Sequence, residues 1–492
     1  MTSNSVRSPL RPANVLVIMS DEHNPKFMRC AGHPFIRTPN LDRLAARGTR
    51  YCSAYTTSPI CVPARAAFAT GKYIHQTGYW DNQDAYEGSV PSWHHALRER
   101  GHEVASIGKL HFRGLPGDDH GLSDEVVPMH IYQGRGDIKM LIRDPPQIRN
   151  AGIKLAKTAR PGESSYTVYD RDIAARAQVW LHEAARRRPE KPWVLFVSFV
   201  LPHFPLTAPP EHYYEYWLRD LPTPKLYAKT ERPDHPYVRD YADISHYDHG
   251  FDGPEAVKRA IAGYCGLVSA MDENVGKVLD ALEKSGLAGE TRVLYTSDHG
   301  DNVGARGLWG KSTMYEESAG VPLILAGDRI PAGDLVRAPA SHVDVYRFVL
   351  EATGIHDPAL LQDRPGERLL DLPSGRAVLS EYHTLGARSA VFMLREARYK
   401  YVHYVEGYPP QLFDLEQDPE ELSDLAASSN HAGTLSVLRD RLHGMLDPVE
   451  VDRRAKRKQA ELLERWGGAE AAMKIGDLGY TPAPGSPPDF NP

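Results

Sequence analysis

The segment Cys61-Val62-Pro63-Ala64-Arg65 carries dense chemistry in a short span. Proline two residues after the cysteine predicts a helix over 63–70, which turns free N–H groups and the positive end of its dipole toward residue 61. Such a helix start, expected to be surface-accessible at residue 61, suits an anion or an anionic transition state. Arg65 adds a planar donor that stays charged. Two further segments supply carboxylates: Ser20-Asp21-Glu22-His23, and Thr296-Ser297-Asp298-His299-Gly300-Asp301. Adjacent Asp and His are suitable ligands for one divalent cation. Cationic or proton-carrying groups recur in Gly108-Lys109-Leu110-His111, in Leu201-Pro202-His203-Phe204-Pro205 and in Gly310-Lys311.

Most of these segments directly follow an apolar run. Asn14 to Met19 reads as a strand buried on both faces, Trp193 to Val200 as a second and Thr291 to Thr296 as a third. Val321 to Leu325 reads as a further strand. Helical patterns fall between them. Thr38 to Gly48 and Ser92 to Gly101 each carry start and stop signals; residues 169–188 are amphipathic, and 254–286 read as one long or two shorter helices. Alternating strands and helices predict an α/β fold on a parallel or mixed sheet covered on both faces. Ligands in such sheets gather at the carboxyl ends of the strands. The pattern changes near residue 370, where Val378–Tyr382, Ala390–Leu394 and Tyr399–Tyr404 read as short antiparallel strands, followed by helices near 433–447 and 451–470. The expected domains are therefore 1–369, catalytic; 370–480, a smaller α+β unit; and 481–492, a tail rich in Pro and Gly, read as an extended arm or disordered.

Composition excludes more than it names. The 492 residues include 58 basic and 64 acidic ones, a formal charge of −6, which gives no basic stripe for nucleic acid. The apolar runs are strand-sized, far short of the ~20 residues a membrane span needs. No apolar core stands in MTSNSVRSPLRPAN, so no secretory signal is read there. Cys30, Cys52, Cys61 and Cys265 show no disulfide spacing, which predicts reduced thiols and a cytoplasmic location.

Taken in order, NVLVIMSDEH, TPNLDRLAARG, SPICVPARAAFATGKY, IGKLHF, LPHFP and TSDHGDNVGARGLWGK resemble the sulfatase family of the alkaline-phosphatase-like superfamily, and Gln411 to Glu421 resembles the C-terminal motif of that family. The resemblance implies a large mixed sheet flanked by helices, with a smaller C-terminal domain on a short antiparallel sheet. It implies that a formylglycine-generating enzyme oxidises Cys61 to the aldehyde formylglycine, whose hydrate carries two hydroxyls on one carbon: one attacks sulfur and the other expels sulfate. It further implies that Asp21, Glu22, residue 61, Asp298 and His299 hold one divalent metal, Ca²⁺ first and Mn²⁺ second. Arg65 and Lys109 would stabilise the hydrate and the anionic group. His111 would take the proton from the second hydroxyl. His203 and Lys311 would bind the sulfate and protonate or stabilise the leaving alkoxide. Asn82 would donate to a sulfate oxygen.

Two features depart from the commonest family pattern. Many arylsulfatases have Asp-Asn where this chain has Asp298-His299, which with Gly304 to Trp309 looks more like choline sulfatases and, for the Asp-His pair, phosphonate monoester hydrolases. Glu22 stands where the family commonly has Asp or Gln. The expected activity is hydrolysis of the sulfate monoester of a small alcohol or phenol, with a phosphonate monoester or phosphodiester as the alternative substrate. The Pro-rich tail and the helices after residue 433 could serve a homo-oligomeric interface.

Overall fold

The computed structural model describes residues 10–385, 387–475 and 478–488. Residues 1–9, part of the stretch on which the absence of a signal was read, lie outside the described residues, as do 489–492 of the tail. A large sheet is built from β1 (Asn14–Asp21), β2 (Gly48–Tyr51), β3 (Val104–Lys109), β4 (Asp124–Met129), β5 (Val194–Pro202), β6 (Thr291–Ser297), β7 (Leu323–Ala326) and β8 (Asp334–Val336). Their order across the sheet is β8-β2-β7-β6-β1-β5-β3-β4. The run from β6 to β4 is parallel, whereas β7 runs antiparallel to both β6 and β2. Val15 pairs with Val194 on one side and with Arg292 on the other, so β1 sits at the sheet's centre. Every residue of β5 and β6 is buried, as their continuous apolar sequences require.

Helices cover both faces. They are α1 (Pro39–Ala46), α2 (Cys61–Thr70), α3 (Trp93–Arg98), α4 (Ser165–Arg187), α5 (Pro254–Lys284) and α6 (Val343–Thr353). One face packs α4 and α5 against Leu16, Ile18, Leu195 and Val197. The other packs α2 and α6 against Val15, Val17, Val194 and Phe196. The segment 254–286 thus forms one long helix rather than two.

Two readings of the sequence are corrected. Helix α2 starts at Cys61, not at residue 63, because the first-turn N–H groups have no intrahelical partner and proline is tolerated at any of these positions. Residue 61 is also not at an accessible helix start: Cys61 is 1% exposed and all of α2 is buried.

Past residue 370, β9 (Ala377–Tyr382), β10 (Val391–Glu396), β11 (Tyr399–Tyr404) and β12 (Gln411–Asp414) form an antiparallel sheet. Helices α7 (Ala432–Met445), α8 (Pro448–Arg465) and α9 (Gly468–Ile475) follow. Arg306 ties this region to the first: its guanidinium is fully buried, pairs with Glu317 at 3.0 Å and donates to the Glu420 carbonyl at 2.7 Å. Residues 478–488 form neither helix nor strand.

Candidate functional site

Four adjacent parallel strands end at one edge of the sheet, and each delivers part of the site. β6 is followed by Asp298 and His299; β1 ends in Asp21 and is followed by Glu22; β5 is followed by His203; β3 ends in Lys109, two residues before His111. The motif Gly108-Lys109 has a steric reason. Gly108 has φ +106°, and a Cβ there would lie 2.2 Å from the Ser198 carbonyl oxygen of β5. Glu22 (φ 67°), His111 (φ 54°) and Ser312 (φ 75°), beside Lys311, also hold left-handed conformations. Such geometry costs a non-glycine residue about 1–2 kcal/mol and concentrates where side chains must be aimed.

Helix α2 is pointed at this edge. Its Val62 N–H donates to Asn82 Oδ1 at 3.0 Å, so Asn82 anchors the helix start. Cys61 Sγ lies 3.2 Å from His299 Nε2, 3.1 Å from Lys311 Nζ and 3.9 Å from Asp21 Oδ1. Arg65 is fixed on all sides: it donates to Asp298 at 2.8 Å, to Asp21 at 3.0 Å, to the Lys109 carbonyl at 2.8 Å and to Ser198 Oγ at 2.9 Å. The Lys109 ammonium pairs with Asp21. Lys311 Nζ and His203 Nε2 reach Glu22 Oε2 at 3.4 and 3.5 Å.

The electrostatics follow from burial and neighbours. Burial alone would raise the Asp21 carboxyl, but Lys109, with Arg65 and Lys311, holds it well below the ordinary carboxylate range. Burial pushes Glu22 well above that range. Burial, with Asp21 alongside, also raises the Cys61 thiol, the opposite of what activates a cysteine nucleophile. Burial would discharge Lys311, but Cys61, Glu22 and Asp21 hold its ammonium well above the usual value. Burial, then Lys109 beside His111 and Lys311 beside His203, holds both imidazoles well below their usual value, so both are neutral at pH 7.

The donor set fits a divalent cation. One ligand atom each from Asp21, Cys61, Asp298 and His299 lies within 4.8 Å of all the others, and the same holds for Asp21, Glu22 and His203. Glu22 Oε1 is buried and has no hydrogen-bond partner, which a cation would satisfy.

All of the residues singled out from the sequence thus meet at one edge, except that Asn82 bonds the helix backbone through Oδ1. Other groups had no sequence signal. Beside Glu22 and Lys311 is a cavity of about 140 Å³ walled by Phe204, Tyr241, Tyr247 and Trp309. Two aromatic-rich stretches elsewhere in the chain, Tyr213 to Trp217 and Tyr401 to Tyr404, do not line it. Part of the C-terminal segment lies over the site. Thr481 Oγ1 is 3.0 Å from His111 Nε2, its carbonyl accepts from Tyr166 Oη at 2.5 Å, and the Tyr480 ring packs 5.2 Å from that of Tyr166.

A sequence model of the sulfatase family matches residues 13–355. The chain belongs to the sulfatase family. A second model, that of the N-sulphoglucosamine sulphohydrolase C-terminal region, matches residues 304–447. Among relatives of this sulfatase, the choline-sulfatase of Rhizobium meliloti (strain 1021) is 33% identical over 480 residues, covering 93% of this chain and 91% of the relative. Arylsulfatase K of Homo sapiens is 28% identical over 488 residues, covering 94% and 87%. In structure, the phosphonate monoester hydrolase of Agrobacterium radiobacter superposes with a TM-score of 0.69 at 22% identity, covering 90% of this chain and 96% of that one. At that identity the likeness shows the shared alkaline-phosphatase-like fold.

Proposed function

We propose that this sulfatase hydrolyses the sulfate monoester of a small alcohol or phenol, using a formylglycine made from Cys61 and one divalent metal. The observation that carries the reading is the convergence of Asp21, Cys61, Asp298 and His299 beside Lys311, 3.1 Å from Sγ.

Asp21, Asp298, His299 and residue 61, with Glu22 beside them, would hold the metal. Oxygen donors suit Ca²⁺, placed first, and the imidazole of His299 keeps Mn²⁺ second. When bound, the ion polarises sulfate oxygens and makes a hydroxyl at residue 61 more acidic. The hydrated aldehyde supplies the attacking hydroxyl and a second one whose deprotonation releases sulfate. Arg65 locks the two aspartates in place and, with Lys109, offsets the incoming negative charge. Lys311, held charged, donates to the leaving oxygen. His203 commits Nδ1 to the Phe204 carbonyl at 2.6 Å and presents Nε2 to the substrate. His111, held neutral, accepts a proton. The 140 Å³ cavity favours a small leaving group, since drug-sized ligands fill about 300–1,000 Å³. The free cysteines suit a reducing compartment, for which we propose the cytoplasm.

The test is a panel of aryl sulfate, choline sulfate, sugar sulfate and phosphonate monoester, using protein made with a formylglycine-generating enzyme. Mass spectrometry of the residue-61 peptide confirms conversion. The reading expects the highest kcat/KM on a small sulfate monoester, loss of activity with EDTA and recovery with Ca²⁺ or Mn²⁺. A phosphonate preference of about a hundredfold, some 2.8 kcal/mol, would replace the sulfatase reading of the substrate.

A further inference from the structure

A second group of metal-ligating side chains lies away from this centre, on strand β4 and its flanks. His120 precedes the strand, Glu125 is within it, and His130 follows it directly. His120 Nδ1 lies 2.8 Å from Glu125 Oε1, and His130 Nε2 lies 3.0 Å from Glu125 Oε2. One ligand atom from each lies within 4.8 Å of the other two. The His120 side chain is 4% exposed, while Glu125 and His130 keep 25% and 18%. The cluster is thus closed on one side and open to water on the other. The ion-pair partners of Glu125 are these two imidazoles; no lysine or arginine pairs with it among the described residues. The remaining ring nitrogens, His120 Nε2 and His130 Nδ1, are buried without a hydrogen-bond partner.

Two imidazoles facing both oxygens of one carboxylate are joined either by a proton on each ring or by a cation among them. The cation arrangement gives three protein ligands and an open position, a pattern known for zinc and other first-row ions. Two nitrogens and one carboxylate favour such an ion over Ca²⁺ or Mg²⁺, which prefer all-oxygen shells. The surroundings give the ion something to hold. Strand β4 is the edge of the large sheet, with β3 as its neighbour. Met129, next to His130, accepts the backbone N–H of His111 at 2.8 Å and that of Leu110 at 3.1 Å, and Ile131 N–H donates to the Phe112 carbonyl at 3.0 Å. Fixing His130 therefore fixes the backbone that aims His111.

We propose that His120, Glu125 and His130 form a second metal site, separate from the catalytic one, that takes a divalent transition-metal ion such as Zn²⁺ and clamps edge strand β4 to the loop before it. The test loads the full chain with excess Zn²⁺, removes loose metal by gel filtration and counts zinc per chain by mass spectrometry. His130→Asn is treated in parallel, so zinc at the catalytic centre cancels in the subtraction. About one zinc per chain lost in the variant, together with a smaller rise of Tm on adding Zn²⁺, is the expected result. Equal zinc content in the two proteins overturns the site and leaves a hydrogen-bonded His-Glu-His cluster. If His130→Asn does not fold, the isosteric Glu125→Gln takes its place and the same subtraction decides.

Discussion

A lysine kept charged inside a protein needs negative charge around it, and Lys311 has the Asp21 and Asp298 carboxylates nearby, with Cys61 Sγ and Glu22 Oε2 at 3.1 and 3.4 Å. A fixed ammonium matters most when the group leaving sulfur is a strong base. Lys311→Ala is accordingly expected to lower kcat/KM for an alkyl sulfate by about 10²–10⁴-fold, and to lower it for 4-nitrophenyl sulfate much less, since nitrophenolate needs little help to leave. Equal losses on both substrates would show that Lys311 serves binding rather than departure. At this scale much of the site was legible in the sequence. Asp21, Lys109, His111, His203, Asp298 and His299 each sit within two residues of a strand end, so motif and position coincide. Tyr241 and Tyr247 were not legible, because they reach the cavity from a helix, Pro236–Ser245, and the turn after it, segments that carry no motif. The left-handed backbone at Glu22 and His111 was equally hidden, since neither residue type announces it.

At the scale of elements, the end of β5 is held by one buried carboxylate. Asp170 on α4 accepts the N–H groups of Val200 and Leu201 at 2.8 and 2.9 Å, just before His203. Burial raises its carboxyl to about 7, although those two N–H groups pull the other way. In the unfolded chain an aspartate titrates near 3.9. The folded state therefore keeps a proton that the unfolded chain releases between about pH 4 and 7. The stabilisation from this group is complete below the unfolded value and is lost as pH rises through 7. Asp170→Asn cannot titrate. The stability of the native chain relative to this variant should fall between about pH 4 and 7 and level off above, as read from Tm or urea midpoints; parallel curves would refute the shift. Strand and helix placement was read well wherever apolar runs were continuous, as in β1 and β5. The start of α2 was misplaced because Pro63 marks a first turn but not which residue of that turn.

Across the whole molecule, Arg306 joins the site-bearing region to the C-terminal sheet. Its guanidinium is buried between Glu317 and the carbonyls of Glu420 and Glu421, and lies 3.8 Å from the Tyr315 ring centre. Replacing one member of a buried pair leaves the rest uncompensated and costs about 3–5 kcal/mol. Lys225 also pairs with Glu317, at 2.5 Å, which places Arg306→Met at the lower end, about 3 kcal/mol. Chemical denaturation measures this directly, and a change below about 1 kcal/mol, the scale of a surface ion pair, would show that the bridge is dispensable.

The placement of Cys61 bears on the order of events in the life of the chain. Its side chain is 1% exposed, packed under Lys311 and His299, while Thr481 and Tyr480 from the far end of the sequence lie over neighbouring His111 and Tyr166. An enzyme that must grip the residue-61 segment to oxidise its thiol has no way in once these parts have closed. On the proposed chemistry, maturation is then a race against folding, and a chain that folds first is locked out of activity with its structure intact. Folded unmodified protein given the generating enzyme should keep its thiol, whereas the same protein unfolded, or still emerging from the ribosome, should be converted, a difference that the mass of the residue-61 peptide reads out.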